Sequence, residues 1–229
     1  MKILSLVALS LVLQACGQPE ASHPAGEEAA QAPLAQDVAP AEVPVAAPAE
    51  VALPLVKPAD WDAMSYNKAH GAAGAIPSGY MEKINAEGGD TGHLGKHLPY
   101  VAKVEGYQVP EGKLALMFGD DSAGNAQHPN APEGTESYEN GHFFDLITVR
   151  PSVEGAPDAT VTTFNGWPAV GEGATGQYAV LGGGDIAEKG GRNTVYLVDL
   201  PDGAKSGDVV RVTGHCRYHG EYVDFITVP

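Results

Sequence analysis

Residues 194–228 read TVYLVDLPDGAKSGDVVRVTGHCRYHGEYVDFITV, and this stretch decides the fold that the sequence predicts. Three runs within it alternate apolar with polar residues, which is the period of a half-buried β-strand. The turn residues Pro201, Asp202 and Gly203 separate the first two runs. A short loop around Cys216 and His219 separates the last two. The stretch therefore predicts three strands, at residues 194–200, 208–213 and 221–228.

The same alternation recurs upstream, with Pro-Glu-Gly at residues 110–112 and three glycines at 182–184 supplying turns. Four further strands are predicted at residues 113–118, 143–149, 159–164 and 177–181. Several short strands joined by such turns are typical of an all-β sandwich or barrel. Residues 57–229 have the length of one domain. Within it, residues 61–95 are less regular and predict only a short helix at 80–86.

The N-terminus has the pattern of a bacterial lipoprotein signal. Lys2 precedes an apolar run at residues 3–13, which is shorter than the about 20 residues of a permanent membrane span. The run ends in LQAC at residues 13–16, which resembles a lipobox, where the cysteine is acylated. We therefore expect a signal peptide at residues 1–15 and a lipid anchor on Cys16. The alternative is an ordinary secretory signal followed by an incidental cysteine.

Residues 16–56 predict a tether between that anchor and the domain. The stretch is rich in Ala, Pro, Glu, Gln and Val and has no aromatic residue, so it cannot bury enough apolar surface to fold. We expect it to be disordered and extended by its proline steps. Gly17 after the cysteine resembles lipoproteins of the outer membrane, which places the expected domain in the bacterial cell envelope, on the periplasmic side.

The charge balance excludes one class of function. With 29 acidic and 13 basic residues, the chain has a net charge of −16. Nucleic-acid binding needs a basic face to neutralise phosphates, so no nucleic-acid partner is expected. The acidity is most simply a means of solubility.

Cys216 is the residue that points most directly to chemistry. The chain has two cysteines, and acylation would use Cys16, so Cys216 is left as a lone thiol in an oxidising compartment. It could be an inert buried residue that behaves as a small hydrophobe. However, Cys216 and His219 form a Cys-x-x-His pair, a common way for one loop to offer a thiolate and an imidazole to the same metal ion.

Three other histidines lie in distinctive contexts: Lys-His-Leu-Pro at residues 96–99, His-Pro at 128–129, and a histidine that opens the aromatic strand at 142–147. With Cys-x-x-His-Gly at 216–220, the order of these four motifs resembles that of the superoxide reductases, including the iron domain of desulfoferrodoxin and the neelaredoxins. The resemblance covers about residues 93–229.

The resemblance implies an immunoglobulin-like β-sandwich with one iron ion. The equatorial ligands would be His97, His128, His142 and His219, and Cys216 would be the axial thiolate. Such a site reduces superoxide to hydrogen peroxide with one electron. Lys96 matches the family lysine near the open face, where a cation attracts the anion and stabilises developing negative charge.

The sequence departs from the family pattern in three places. Gly95 stands where the family often has Glu, the interval from His128 to His142 is longer, and residues 61–92 form an extension that small family members lack. Residues 130–141 are thus expected to be an inserted loop near the site. No four-cysteine rubredoxin-like module precedes the domain, so electrons must come from an external donor. The acidic net charge would repel superoxide unless Lys96 and Arg217 form a local positive funnel.

The sequence is also compatible with two other metals, copper and zinc. A copper electron carrier of the cupredoxin type is also a β-sandwich with a C-terminal cysteine and histidine. It usually has another histidine a few dozen residues before the cysteine, and often a methionine after it. Here no histidine lies between His142 and His215, and the last methionine is Met117. A zinc site of one cysteine and three histidines would make the chain a non-catalytic binding protein, and a metal-delivery role would use the same donors.

The remaining histidines have simpler interpretations. His215 adjoins Cys216 and would point to the opposite side of an extended segment. His70 and His93 are expected at the surface or in loop hydrogen bonds, although His93 could replace His97 if the register differs. Lys96 itself would by default be a solvated lysine.

Overall fold

Two four-stranded antiparallel sheets dominate the computed structural model, which describes residues 51–103, 107–168 and 176–229. The first sheet has the order β1-β2-β6-β5, where β1 is Pro99–Val101, β2 is Lys113–Phe118, β5 is Tyr178–Val180 and β6 is Thr194–Asp199. The second has the order β4-β3-β7-β8, where β3 is Phe144–Pro151, β4 is Thr160–Thr163, β7 is Val209–Cys216 and β8 is Gly220–Thr227.

Helices are few and lie mostly before the first strand. The two α-helices are α1 (Ala63–His70) and α2 (Ser78–Asn85). Short helical turns cover Gly71–Ala75, Asp90–Leu94, Gly95–His97, Asp121–Ala123 and Glu188–Gly191. Among the described residues, no helix combines the length and the apolar character that crossing a membrane would need.

The seven strands predicted from the sequence are all present, with small differences at their ends, so the prediction of a β-rich chain is confirmed. The predicted helix at 80–86 corresponds to α2. Strand β1 and helix α1 were not predicted. Strand β1 has only three residues, too few for an alternating pattern, and α1 reads AMSYNKAH, which has no strong apolar face.

The predicted signal peptide, Cys16 and the tether up to residue 50 lie outside the described residues. Residues 51–56, the last part of the predicted tether, lie against the domain. The guanidinium of Arg211 donates a 2.7 Å hydrogen bond to the carbonyl of Pro54. The hydroxyl of Tyr66 donates a longer one, of 3.4 Å, to the carbonyl of Ala52.

The main hydrophobic core draws on both sheets. Alternate residues of β2, Leu114 and Leu116, belong to the same buried cluster as Ile147 of β3. The closest aromatic contact joins Phe118 of β2 to Phe144 of β3, with parallel rings whose centroids are 3.4 Å apart. The intervening β2 residues Ala115 and Met117 pack in a second, smaller cluster on the other face of the first sheet. Because side chains alternate along a strand, β2 contributes to two apolar clusters, one on each face of its sheet.

Strand pairing brings two of the predicted site segments together. In the β3–β7 ladder Phe144 lies opposite Cys216, so the start of β3 adjoins the end of β7. Cys216 and Gly220 are opposite each other across the β7–β8 hairpin, and the Cys-x-x-His motif forms its turn. Gly220 has a φ of 86°, and a Cβ there would lie 2.2 Å from the carbonyl oxygen of Ala75. Only glycine fits this turn against the N-terminal extension.

A buried asparagine bonds the extension to the backbone at the free edge of β8. The wholly buried Asn67 of α1 accepts a 2.7 Å hydrogen bond from the backbone N–H of Val223 and donates a 2.6 Å bond to its carbonyl. The same amide nitrogen also donates to the carbonyl of Ala63. The Asn67 side chain thus makes the two backbone hydrogen bonds that a neighbouring strand would make to one residue of an edge strand.

Replacing Asn67 with alanine is expected to lower the free energy of unfolding by roughly 2–4 kcal/mol, since it leaves two backbone groups of Val223 buried without partners. Urea unfolding monitored by circular dichroism measures the loss. Asn85→Ala, at an exposed position of α2, is the matched control and should change stability by less than about 0.5 kcal/mol. Equal effects of the two substitutions would contradict the edge-capping role.

Candidate metal centre

Five side chains from four separate parts of the chain converge on one buried point. His97 ends the turn before β1, His142 stands just before β3, Cys216 ends β7 and His219 lies in the β7–β8 hairpin. His128 joins them from the connection between β2 and β3. One ligand atom from each lies within 4.8 Å of all the others, and none of the five residues is more than 5% exposed.

His219 occupies the middle of this group. Its Nδ1 is 2.9 Å from Nε2 of His97 and 3.0 Å from Nε2 of His142. The sulfur of Cys216 lies 3.6 Å from Nε2 of His128 and 3.8 Å from Nδ1 of His219. Since metal–nitrogen bonds are about 2.0–2.1 Å, two nitrogens at right angles around one ion would be about 3 Å apart. The two measured nitrogen pairs match that spacing.

Hydrogen bonds on the far side of two rings fix which nitrogen faces the centre. Nδ1 of His97 donates to the carbonyl of His93 at 2.7 Å, so Nε2 is unprotonated and has a free lone pair. Nδ1 of His128 donates to Oδ1 of Asn130 at 3.1 Å, with the same result. The amide nitrogen of Asn130 donates to Gly191, and its oxygen also accepts from the hydroxyl of Tyr196, so its orientation is fixed.

The resulting donor set has more lone pairs than protons to satisfy them. Nδ1 of His219 holds at most one proton, which can serve His97 or His142 but not both. Nδ1 of His142 is itself buried without a hydrogen-bond partner among the described residues. A single cation at the centre would take up all of the inward lone pairs at once.

Burial also keeps the histidines in the form that binds a metal. It holds the pKa of His97 and of His128 well below the usual range, assisted by the neighbouring imidazoles and the Lys96 ammonium. The pKa of His142 is lowered to about 3 and that of His219 to about 2, again mainly by burial. All four rings are therefore neutral near pH 7.

The thiol of Cys216 behaves in the opposite way. Burial raises its pKa to about 12, although the N–H groups of Tyr218 and His219 and the Lys96 charge partly offset this. Without a bound metal ion the thiol keeps its proton. Binding of a metal ion would release that proton and leave a thiolate. Imidazole together with thiolate suits iron, copper, zinc or nickel rather than calcium or magnesium.

Each ligand ring packs against an aromatic ring. Tyr222 is parallel to His97, with centroids 4.3 Å apart, and Phe144 lies 4.8 Å from His128. Two tyrosines stack on the other imidazoles: Tyr80 on His219, at 3.8 Å and 25°, and Tyr138 on His142, at 4.3 Å and 23°. The four aromatic rings fix the orientation of the imidazoles and exclude water from their faces.

Tyr80 and Tyr138 come from the N-terminal extension and from the 130–141 loop. Tyr80 belongs to helix α2 of the extension, and its hydroxyl donates to the carbonyl of His93. Tyr138 belongs to the 130–141 loop. Neither contact was predicted, because nothing in the sequence relates an isolated tyrosine to a histidine on another segment.

The 130–141 loop is held firmly against the site. Ala131 and His142 exchange two backbone hydrogen bonds of 2.9 Å, which closes the loop at its base. An ion pair between Glu133 and Arg217 ties its middle to the residue that follows Cys216. The loop therefore covers His142 through Tyr138 rather than standing away from the centre.

The other predicted residues lie around the centre without entering it. Lys96 is half-buried, with its Nζ 5.6 Å from the centroid of the Tyr80 ring. His215 points away and pairs with Asp145 at 2.7 Å, as the strand alternation predicted. His70 pairs with Glu221, and His93 contributes its carbonyl rather than its ring. Arg217, named above with Lys96 as the condition for a local positive funnel, pairs with Glu133.

The chain matches no protein-family model, no curated protein and no solved structure. The donor set itself is therefore the basis for assigning chemistry. It defines a buried group of four histidines and one cysteine that could hold a metal ion.

Replacing Asn130 with alanine is expected to weaken metal binding by about 10–100-fold, because the ring of His128 loses the hydrogen bond that orients Nε2 inward. Competition with a chromophoric chelator measures the affinity. Asn165→Ala, at an exposed asparagine outside the group, is the control. An unchanged affinity in Asn130→Ala would show that the orientation of His128 does not depend on this bond.

Proposed function

We propose that this chain is an envelope lipoprotein that holds one iron ion between His97, His128, His142, His219 and Cys216 and reduces superoxide to hydrogen peroxide. The observation that carries the proposal is the buried convergence of these five donors. The proposal includes an immunoglobulin-like packing of the two sheets, membership of the superoxide reductase type, and attachment to the outer membrane through lipidated Cys16.

The donor set supports an iron ion whose oxidation state changes by one electron. When bound, iron would supply one electron to superoxide, which takes up two protons to give hydrogen peroxide, and an external donor would restore that electron. Four neutral imidazoles add no charge of their own, and the thiolate of Cys216 adds one negative charge to the buried centre.

Lys96 supports an anionic substrate. Its charge acts on all four ligand histidines, since it lowers the pKa of each of them. An ammonium at this position attracts the superoxide anion and stabilises negative charge that develops as the anion is reduced. Burial lowers the pKa of Lys96 itself, so this residue is also suited to giving up a proton.

The first prediction from this function is that the purified chain contains iron in a one-to-one ratio and shows a thiolate charge-transfer band in the visible spectrum after oxidation. The band should be absent in Cys216→Ser, because the serine hydroxyl is not a thiolate ligand, while His215→Gln should keep it. Metal analysis and absorption spectroscopy test this. Stoichiometric zinc with a featureless spectrum would exclude the redox proposal. Stoichiometric copper would favour the copper electron carrier over the iron protein.

A second candidate function is one-electron transfer in which no substrate reaches the metal. The burial of all five ligands and the stacking of Tyr80 and Tyr138 on two of the rings favour it. In that case the centre would exchange electrons through its covered edge, and superoxide would not be consumed.

Azide added to the oxidised, iron-loaded chain separates the two functions. Superoxide reduction at the metal predicts that azide changes the visible spectrum of the unmodified chain, because a small anion must be able to reach the centre. A change that occurs only in Tyr138→Ala or Tyr80→Ala would instead favour electron transfer through a covered site. Tyr107→Ala, which alters an exposed tyrosine elsewhere, is the matched control.

A further inference from the structure

Two arginines lie opposite each other on the outer face of the second sheet. Arg150 of β3 and Arg211 of β7 are partners in the strand ladder. Their neighbours Val149 and Val212 belong to the main core, so the alternation of side chains places both arginines on the face that points away from it. Residues opposite each other in an antiparallel pair have Cβ atoms about 4.5–5.5 Å apart. Two positive side chains therefore start side by side.

Arg211 is enclosed more completely than is usual for a charged side chain. It is 7% exposed. Phe225 of β8 is its partner on the other side of β7, and the ring of Phe225 packs edge-to-face with that of Trp61 at 4.8 Å. The Nη1 group of Arg211 donates to the carbonyl of Pro54. A carbonyl oxygen carries only a partial negative charge, so this bond does not neutralise the buried guanidinium.

Neither guanidinium is neutralised by the part of the chain that the structure describes. In that part, no carboxylate lies at ion-pair distance from Arg150 or Arg211. The Nε atoms of both are buried there without a hydrogen-bond partner. Glu221, whose charge acts on Arg211 from further along β8, is paired with His70 at 3.1 Å. Two donors of the same kind are thus left for an acceptor from outside.

The two charges also act against each other. Burial holds the pKa of Arg211 below its ordinary value, and the charge of Arg150 lowers it further. Like charges directly opposite each other on a sheet are destabilising, and a buried charge without a partner is costly. An anion that contacts both guanidiniums would remove both costs at once.

We propose that Arg150 and Arg211 form a binding site for a phosphate group, supplied either by a soluble phosphate compound or by a lipid headgroup. A guanidinium offers its Nε–H and one terminal N–H in parallel, a fork that matches two phosphate oxygens. Both arginines keep the Nε–H of that fork unused, and the bond from Arg211 to Pro54 uses Nη1. A phosphate dianion compensates two charges, whereas a single carboxylate compensates one.

The segment that leads from the predicted tether into the domain borders this site. Its Pro54 carbonyl bonds to Arg211, and the N–H of Lys57 donates a 2.8 Å hydrogen bond to Oγ of Ser152, two residues after Arg150. Ser152 is 7% exposed, and its hydroxyl hydrogen is still available to donate to a phosphate oxygen. The segment therefore crosses the outer face beside both arginines.

The site is separate from the metal centre. Arg211 and Cys216 are five residues apart on β7, which is about 17 Å along an extended strand. The two side chains also lie on opposite faces of the sheet, since Cys216 belongs to the main core. Phosphate binding at the arginines is thus independent of which metal the centre holds and of any redox activity.

Titration of inorganic phosphate into the purified, ¹⁵N-labelled chain tests the site through the Nε–H resonances of the arginines. We expect saturable shifts of the Arg150 and Arg211 resonances, which Arg150→Gln and Arg211→Lys assign. Sodium chloride at equal ionic strength should not reproduce them. Arg150→Gln should weaken phosphate binding about tenfold, because it removes a charge-assisted fork.

Arg192→Gln is the matched control, because it removes the same charge from an exposed arginine on another part of the chain. It should leave the affinity for phosphate unchanged. Equal weakening by Arg192→Gln and Arg150→Gln would overturn the proposal. Shifts confined to other arginines, or no saturable shift at all, would overturn it as well.

Thermal unfolding separates a binding role of Arg150 from a purely structural one. In phosphate-free buffer, Arg150→Gln should leave the unfolding temperature unchanged or raise it, because it relieves the repulsion between like charges. Saturating phosphate should raise the unfolding temperature of the unmodified chain by mass action, and should have little effect on Arg150→Gln. Destabilisation of Arg150→Gln without phosphate, together with full stabilisation by phosphate, would contradict the proposal.

Vesicle flotation distinguishes the two sources of the phosphate group. The Cys16→Ser chain is used, so that acylation cannot contribute to membrane binding. Flotation with phosphatidylglycerol vesicles that Arg150→Gln abolishes, and that inorganic phosphate inhibits, would assign the site to a lipid headgroup. Phosphate binding without flotation would assign it to a soluble phosphate compound. Flotation that Arg150→Gln does not alter, without phosphate binding, would refute the site.

Discussion

The crowding of nitrogen and sulfur lone pairs at the buried centre is the constraint on which the rest of the structure depends. His219 Nδ1 lies about 3 Å from two imidazole nitrogens that cannot both receive a proton from it. Such an arrangement is unfavourable by itself and favourable around a cation. The fold must therefore bring four segments close together and keep water out, while holding each ring in one orientation.

The structure meets this requirement with regular elements on one side and irregular ones on the other. The β3–β7 pairing and the β7–β8 hairpin place His142, Cys216 and His219 through ladder register. The extension and the 130–141 loop then add Tyr80 and Tyr138 as covers. Asn67 connects the extension to the edge of β8, so the cover is part of the folded domain rather than an appended arm.

The sequence predicted what short-range patterns encode. Alternation located the strands from β2 to β8, and the motif order selected the five residues that converge, because Cys-x-x-His and the histidine contexts are local signals. Contacts between distant segments carry no such signal, so the stacking of Tyr80 and the capping by Asn67 were not predicted. The pairing of Arg217 with Glu133 likewise depends on the path of the 130–141 loop, and the sequence did not predict it.

The distribution of the ligands along the chain has a consequence for stability. His97 and His219 are 122 residues apart, and Cys216 is the one cysteine among the described residues, where it is unpaired. A metal ion held by all five residues would cross-link the chain over several long loops, much as disulfides do in small secreted domains. It would restrict the unfolded ensemble and make opening of the domain conditional on metal release. Metal occupancy and resistance to unfolding would then be a single property.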